Sequence, residues 1–152
     1  MRGMGNLYDY FSAAADDAAA STADLVGGPA GGGFDTLATK GIDPVVQMGT
    51  LEALLTGRSY EEVIRNPRQG HAFPPSAEAT EHGVVTLTDS LAAALADADR
   101  RRLADVAVPW SVTEEFWGQA DPEILAGFLG ELSDLARRAR DGGHRLYCWW
   151  SL

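Results

Sequence analysis

The stretch HRLYCWWSL (His144–Leu152) constrains the fold more than any other. Leu146, Cys148, Trp150 and Leu152 alternate with Tyr147, Trp149 and Ser151, and both sets are largely apolar. Successive side chains of a strand point to opposite faces, so a strand apolar on both is covered on both or lies inside its sheet. The only cysteine and two of the four tryptophans are therefore predicted to be core residues. Free cysteine packs as a small hydrophobe. A Cys–His nucleophile would need His144 within hydrogen-bond reach of Cys148, yet residues four apart on a strand are separated by roughly 13 Å. No basic, exposed niche that would activate a thiol is visible around Cys148.

The segment before it is the clearest helix. Leu125, Phe128, Leu132, Leu135 and Ala139 form one stripe, started by Asp121-Pro122 and ended by Asp141-Gly142-Gly143. Such a helix would pack across one face of the final strand. Asp43-Pro44 starts a second helix that closes at Gly57, and Ser59-x-x-Glu62 is a capping box for a short one over Tyr60–Arg65. Val84–Thr88 reads as a strand, and helical spacing resumes from Asp89 through Leu91, Leu95, Leu103 and Val106. A break is expected at Asp97 or Asp99, and a stop at Pro109. Near the start, Ser12 is expected to cap an alanine-rich helix over Ala13–Val26, packed through Tyr10, Phe11, Leu25 and Val26.

GGPAGGG (27–33) lacks the strand before it and the Gly-Lys-Ser/Thr end of a phosphate loop, so it reads as a flexible connector followed by a strand-like FDTLAT. Residues 67–83, rich in proline, glycine and histidine, read as a long mobile loop. These elements predict a single α+β domain over residues 1–152, with several helices on a small sheet that includes the C-terminal strand.

A net charge of −10 argues against nucleic acid or an anionic membrane as partner, since both reward a basic surface. No apolar run approaches the roughly 18 residues that a membrane span needs. No secretory leader is visible, so the cytoplasm is the expected compartment. Eleven of the twelve basic residues are arginine, which with the alanine content suggests a GC-rich bacterial genome. His71, His82 and His144 show no metal spacing, and no cysteine pair exists, so neither a metal nor a cofactor is expected.

PWSVTEEFWG (109–118) is the stretch with most chemical potential. Glu114 and Glu115 stand among Trp110, Phe116 and Trp117. Carboxylates beside aromatic faces can receive a sugar, an amine or a guanidinium, and a glutamate against an indole can serve as an acid. Trp110, Glu114, Glu115 and Trp117 are thus candidate ligand-binding residues. Aromatics at near-helical spacing are, however, more often packing anchors, with the glutamates solvated.

The sequence resembles the YfbM-like bacterial proteins, a group of small proteins of uncharacterised function. The resemblance rests on MGNLYDYF (4–11), ALLTG (53–57), Pro109-Trp110, DPEILAGFLGELSDLARRARDGG (121–143) and the closing apolar strand. It implies a compact α+β domain and a start at Met4 rather than Met1, and it carries no catalytic residues across. The expected function is a non-catalytic protein-binding or regulatory module whose acidic surface meets a basic protein. The alternative is a small-molecule-binding protein or enzyme using the Glu114/Glu115 stretch.

Overall fold

The computed structural model describes residues 7–25, 27–73, 81–116, 118 and 120–152. Its strands are β1 (Leu7–Ala13), β2 (Thr36–Lys40), β3 (Ala72–Phe73), β4 (His82–Thr86) and β5 (Arg145–Ser151). Its helices are α1 (Asp16–Ala20), α2 (Val46–Thr56), α3 (Tyr60–Ile64), α4 (Asp89–Asp97), α5 (Arg100–Ser111) and α6 (Pro122–Asp141). The strands form one antiparallel sheet in the order β2-β1-β5-β4-β3. The expected α+β architecture is present.

β5 is at the centre. It pairs with β1 along its whole length, Leu7 opposite Ser151 to Ala13 opposite Arg145, and with β4 on its other edge. Both of its faces are covered. Leu146 and Cys148 join the large core formed by α2, α4, α5 and α6, whereas Tyr147 and Trp149 pack on the reverse face with Phe11, Val84, Ala19 and Ala23. The double alternation in the sequence therefore marks a strand that is both interior and sandwiched. α6 lies across β1, β2 and β5, with α4 and α5 against its flanks.

The amino-terminal helix is much shorter than expected. Ser12 lies in β1 and caps nothing; α1 spans five residues and continues as a 3-10 turn over Ser21–Asp24. Tyr10 and Phe11 are strand residues, because pairing with β5 outweighs the helix propensity of the neighbouring alanines. The glycine-rich connector is a 3-10 turn at Pro29–Gly32 that closes the reverse face. Gly28 has φ +72°, and a Cβ there would lie 3.0 Å from the Trp149 ring. Both facts require glycine.

Residues 67–83 are not one long loop. Arg68 and Gly70 are tied to Thr86 of β4, Ala72–Phe73 forms β3 and His82 begins β4, while residues 74–80 lie outside the described residues. β4 accordingly starts two residues earlier than the β-branched run suggests. The break before α5 falls at Ala98–Asp99, with Asp99 capping Arg102 N–H. Pro109 lies inside α5 instead of ending it. The carbonyl its missing N–H leaves free belongs to exposed Asp105, where water can serve. The Ser59 cap, the Asp121 cap and the left-handed Gly57 stop are present as expected. Among the described residues no helix is long and apolar enough to cross a membrane.

Cys148 is buried, and burial pushes its thiol well above the ordinary range. A thiol reagent should label the protein only after denaturation. Rapid labelling of the folded protein would show that β5 is not sandwiched. Cys148→Ser should lose about 1–3 kcal/mol in urea unfolding if the hydroxyl finds no partner.

Candidate functional site

The predicted aromatic–carboxylate stretch is anchored through Trp110. It sits in the last turns of α5, fully buried, and its indole N–H donates to the Gln47 carbonyl at 3.0 Å. Phe116 meets its ring edge-on at 5.0 Å, and Phe128 stacks on it at 6.4 Å. Glu114 is exposed and Glu115 half-buried on the 3-10 turn that follows. Gln47 Nε2 donates to the Glu115 carbonyl at 3.2 Å, so this turn is pinned to the start of α2. Trp110 thus offers its ring to the core, and the two carboxylates stand outside it. Trp117 lies outside the described residues.

Three buried or half-buried polar clusters that sequence spacing does not reveal lie elsewhere. On α2, Glu52 accepts hydrogen bonds from the Thr88 hydroxyl and, at 2.7 Å, from Ser90. Thr88 also caps α4, so this carboxylate locks α2 to that helix start. The cavity beside it measures about 10 Å³, room for a single water at most. On the reverse face, Arg68 clamps Asp16 through two nitrogens at 3.1 and 3.2 Å, and the Tyr147 hydroxyl donates to Asp16 at 2.6 Å. The Arg68 bond, then the Tyr147 bond, lower the Asp16 pKa. Third, Tyr10 donates to the Ile42 carbonyl beside Cys148, and burial raises its hydroxyl well above the usual value.

Two open hollows are lined by side chains of mixed character. One, of about 240 Å³, runs between α4 and α6 over an alanine floor. Its rim arginines are engaged, Arg140 with Asp97 at 2.7 Å and Arg145 with Asp89 at 3.4 Å. The other, of about 170 Å³, opens at the end of the sheet between Tyr8, Trp150, Val85 and the Asp43–Val45 turn. Its one sequence signal is Gly83 in β4, since an isolated strand glycine marks a close approach. A Cβ there would lie 2.9 Å from Trp150 Nε1.

The charge distribution is uneven. Arg68, Arg100, Arg137, Arg138, Arg140 and Arg145 each face a carboxylate. Among the described residues Asp105, Glu114, Glu123 and Glu131 of α5, the following turn and α6 have no ion pair. Exposed beside them are Val108, Val112 and Ile124, with 55%, 64% and 71% of their surface open. Among the described residues no group of three or more His, Cys, Asp and Glu side chains could hold a metal ion. No protein-family model, curated protein or solved structure matches this chain.

Two outcomes follow from this geometry. Trp110→Ala should cost about 3–5 kcal/mol in urea unfolding, as the loss of a buried aromatic does, whereas Glu114→Gln should stay within about 0.5 kcal/mol. Comparable costs would place Glu114 in the packing. Burial, then the bond to Asp16, pushes the Tyr147 hydroxyl up to about 12. An unfolded tyrosine ionises near pH ~10, so between that pH and about 12 the unfolded chain has released a proton that the folded protein keeps. Stability should fall with rising pH across this window. Tyr147→Phe should make the fall in urea midpoint shallower; an unchanged slope would assign it to other groups.

Proposed function

We propose that this protein is a non-catalytic binding module whose acidic end receives a basic partner protein. The supporting observation is the exposed apolar set Val108, Val112 and Ile124 among the unpaired carboxylates Asp105, Glu114, Glu123 and Glu131. Val108 lies in the last turn of α5, and Val112 is the residue that ends it. Arg100, at the start of that helix, reaches Asp134 in the middle of α6, and a short connection returns the chain. The later turns of α5 therefore lie toward the start of α6, where Ile124 is exposed. Apolar residues in an acidic rim suit a partner with apolar residues flanked by lysine and arginine: the apolar part supplies affinity, and the charges supply steering and register. A nucleic acid would be repelled by the same rim. Burial of Trp110 in the core disfavours the alternative of a small-ligand or catalytic site around Glu114 and Glu115. Membership of the YfbM-like proteins belongs to this proposal and adds no catalytic residues to it.

The test is affinity capture from the organism that encodes the protein, read by mass spectrometry, with native protein beside a Val112→Asp, Glu123→Lys variant. The expected result is a basic protein retained by the native form at low salt, weakened at high salt and lost with the variant. Equal retention by both forms, or an acidic partner, would overturn the proposal.

A further inference from the structure

We infer that the cleft at the end of the sheet is a binding site for an alkylated ammonium group. This rests on the cleft alone and stands whether or not the α5–α6 end docks a protein. Tyr8 and Trp150 are directly opposite each other on β1 and β5, and Gly83 is opposite Trp150 on β4. These three residues form one row across the helix-covered side of the sheet. Gly83 has no side chain to hold the Trp150 indole away from β4. The rings of Tyr8 and Trp150 line one side of the cleft, Val85 lies next along β4, and Pro44 and Val45 close the side facing α2.

Asp43 supplies the charge. Its Oδ2 accepts from Val46 N–H and Gln47 N–H at the start of α2, which fixes the carboxylate and leaves Oδ1 without a hydrogen bond among the described residues. Tyr10 and Cys148 lie in the protein interior behind the cleft, where burial raises both pKa values and the Asp43 charge adds a smaller contribution in the same direction. Gln47 also connects Asp43 to the Glu115 turn, accepting from Asp43 N–H and donating to the Glu115 carbonyl, so a second acidic segment borders this end of α2.

Size and chemistry together select the ligand. A cleft of about 170 Å³ is close to the ~150 Å³ that holds benzene in an engineered cavity, and below the ~300 Å³ of a drug-sized site. It therefore takes a compact head group. An anion would meet Asp43 on a protein of net charge −10. A primary ammonium would bring three N–H donors to a largely apolar cleft that offers one free carboxylate oxygen, leaving donors unsatisfied. An alkylated ammonium has few or no donors, presents methyl surface to Val85, Pro44 and Val45, and places its charge against aromatic faces and a carboxylate. Such a head group occurs in small choline-like amines and in methylated lysine side chains.

The test follows the Trp150 indole N–H resonance, assigned by its loss in Trp150→Leu, during titration of the whole protein. The probes are choline, its neutral carbon isostere 3,3-dimethylbutan-1-ol, and a short peptide carrying either trimethyllysine or unmodified lysine. Choline or the trimethyllysine peptide should give saturable shifts with a dissociation constant on the order of 1 mM, and the isostere and the lysine peptide should bind about tenfold more weakly. A tighter choline complex identifies a small-amine site; a tighter peptide complex identifies a methyl-lysine site. Asp43→Asn keeps a residue that caps as well as aspartate and removes the charge, so it should fold normally and weaken choline about tenfold. The inference is overturned if the isostere binds as well as choline, if Asp43→Asn binds choline undiminished, or if neither cation gives a saturable shift by about 50 mM.

Discussion

The β1–β5–β4 ladder joins the first strand of the sheet, the last strand of the chain and a strand from its middle. The backbone donors and acceptors of β5 are taken up on both edges along its paired residues, and its side chains are taken up on both faces. Removing β5 would expose β1 and β4 as open edges and split the two cores at once. The Leu7–Ser151 pairing spans nearly the whole described chain, so it closes one of the longest loops that the described residues allow. Folding dominated by such distant pairing is slow relative to local helix formation. The helices α4, α5 and α6 can form early, but they have no sheet to cover until both strands are in place.

The arginines show how that arrangement is secured and what it leaves over. Arg137 donates to the Ala96 and Ala98 carbonyls at the end of α4, and Arg102 to the Leu54 and Leu55 carbonyls at the end of α2. Arg138 reaches Asp35 beside β2 at 2.7 Å. A planar guanidinium satisfies helix-end carbonyls and carboxylates in one geometry that a lysine cannot reproduce. Much of the positive charge is thereby committed to connecting elements within the fold. A chain with twenty-two acidic and twelve basic residues that uses its arginines in this way retains an excess of unpaired carboxylates, and Asp105, Glu114, Glu123 and Glu131 are part of it.

Much of this was legible where a local signal has one physical meaning. Asp121-Pro122 capped α6, Ser59-x-x-Glu62 capped α3, and the apolar alternation of β5 gave a covered central strand. Tyr10 and Phe11 misled because an alanine run beside them favours helix, and only the presence of β5 opposite makes them strand. The site was less legible than the fold. Trp110 and Glu114 are close in sequence, yet one points inward and the other outward. Asp43, Tyr8 and Trp150 lie far apart in sequence, and only the β1–β5 register and the turn before α2 bring them together. No spacing rule within one chain segment encodes such a juxtaposition.

The cleft also has a structural cause. Trp149 and Trp150 are neighbours on β5, but they meet different cover. Trp149 packs under the 3-10 turn at Pro29–Gly32, where Gly28 allows close approach, and its indole N–H points at the Ala23 carbonyl, 3.4 Å away. Trp150, on the other face, pairs with Tyr8 at the end of the sheet and remains half-buried, although the same face is closed over Cys148 two residues earlier. A twisted sheet diverges from a straight helix laid across it, so cover is tight at one end and opens toward the other. The Asp43–Val45 turn, which brings the chain from β2 into α2, crosses this gap without filling it. A fold that needed only a tight core could have placed a small residue at position 150. A tryptophan there, accommodated by a glycine on the next strand and sharing a cleft with a carboxylate held by backbone amides, keeps a large aromatic surface at an open end of the sheet.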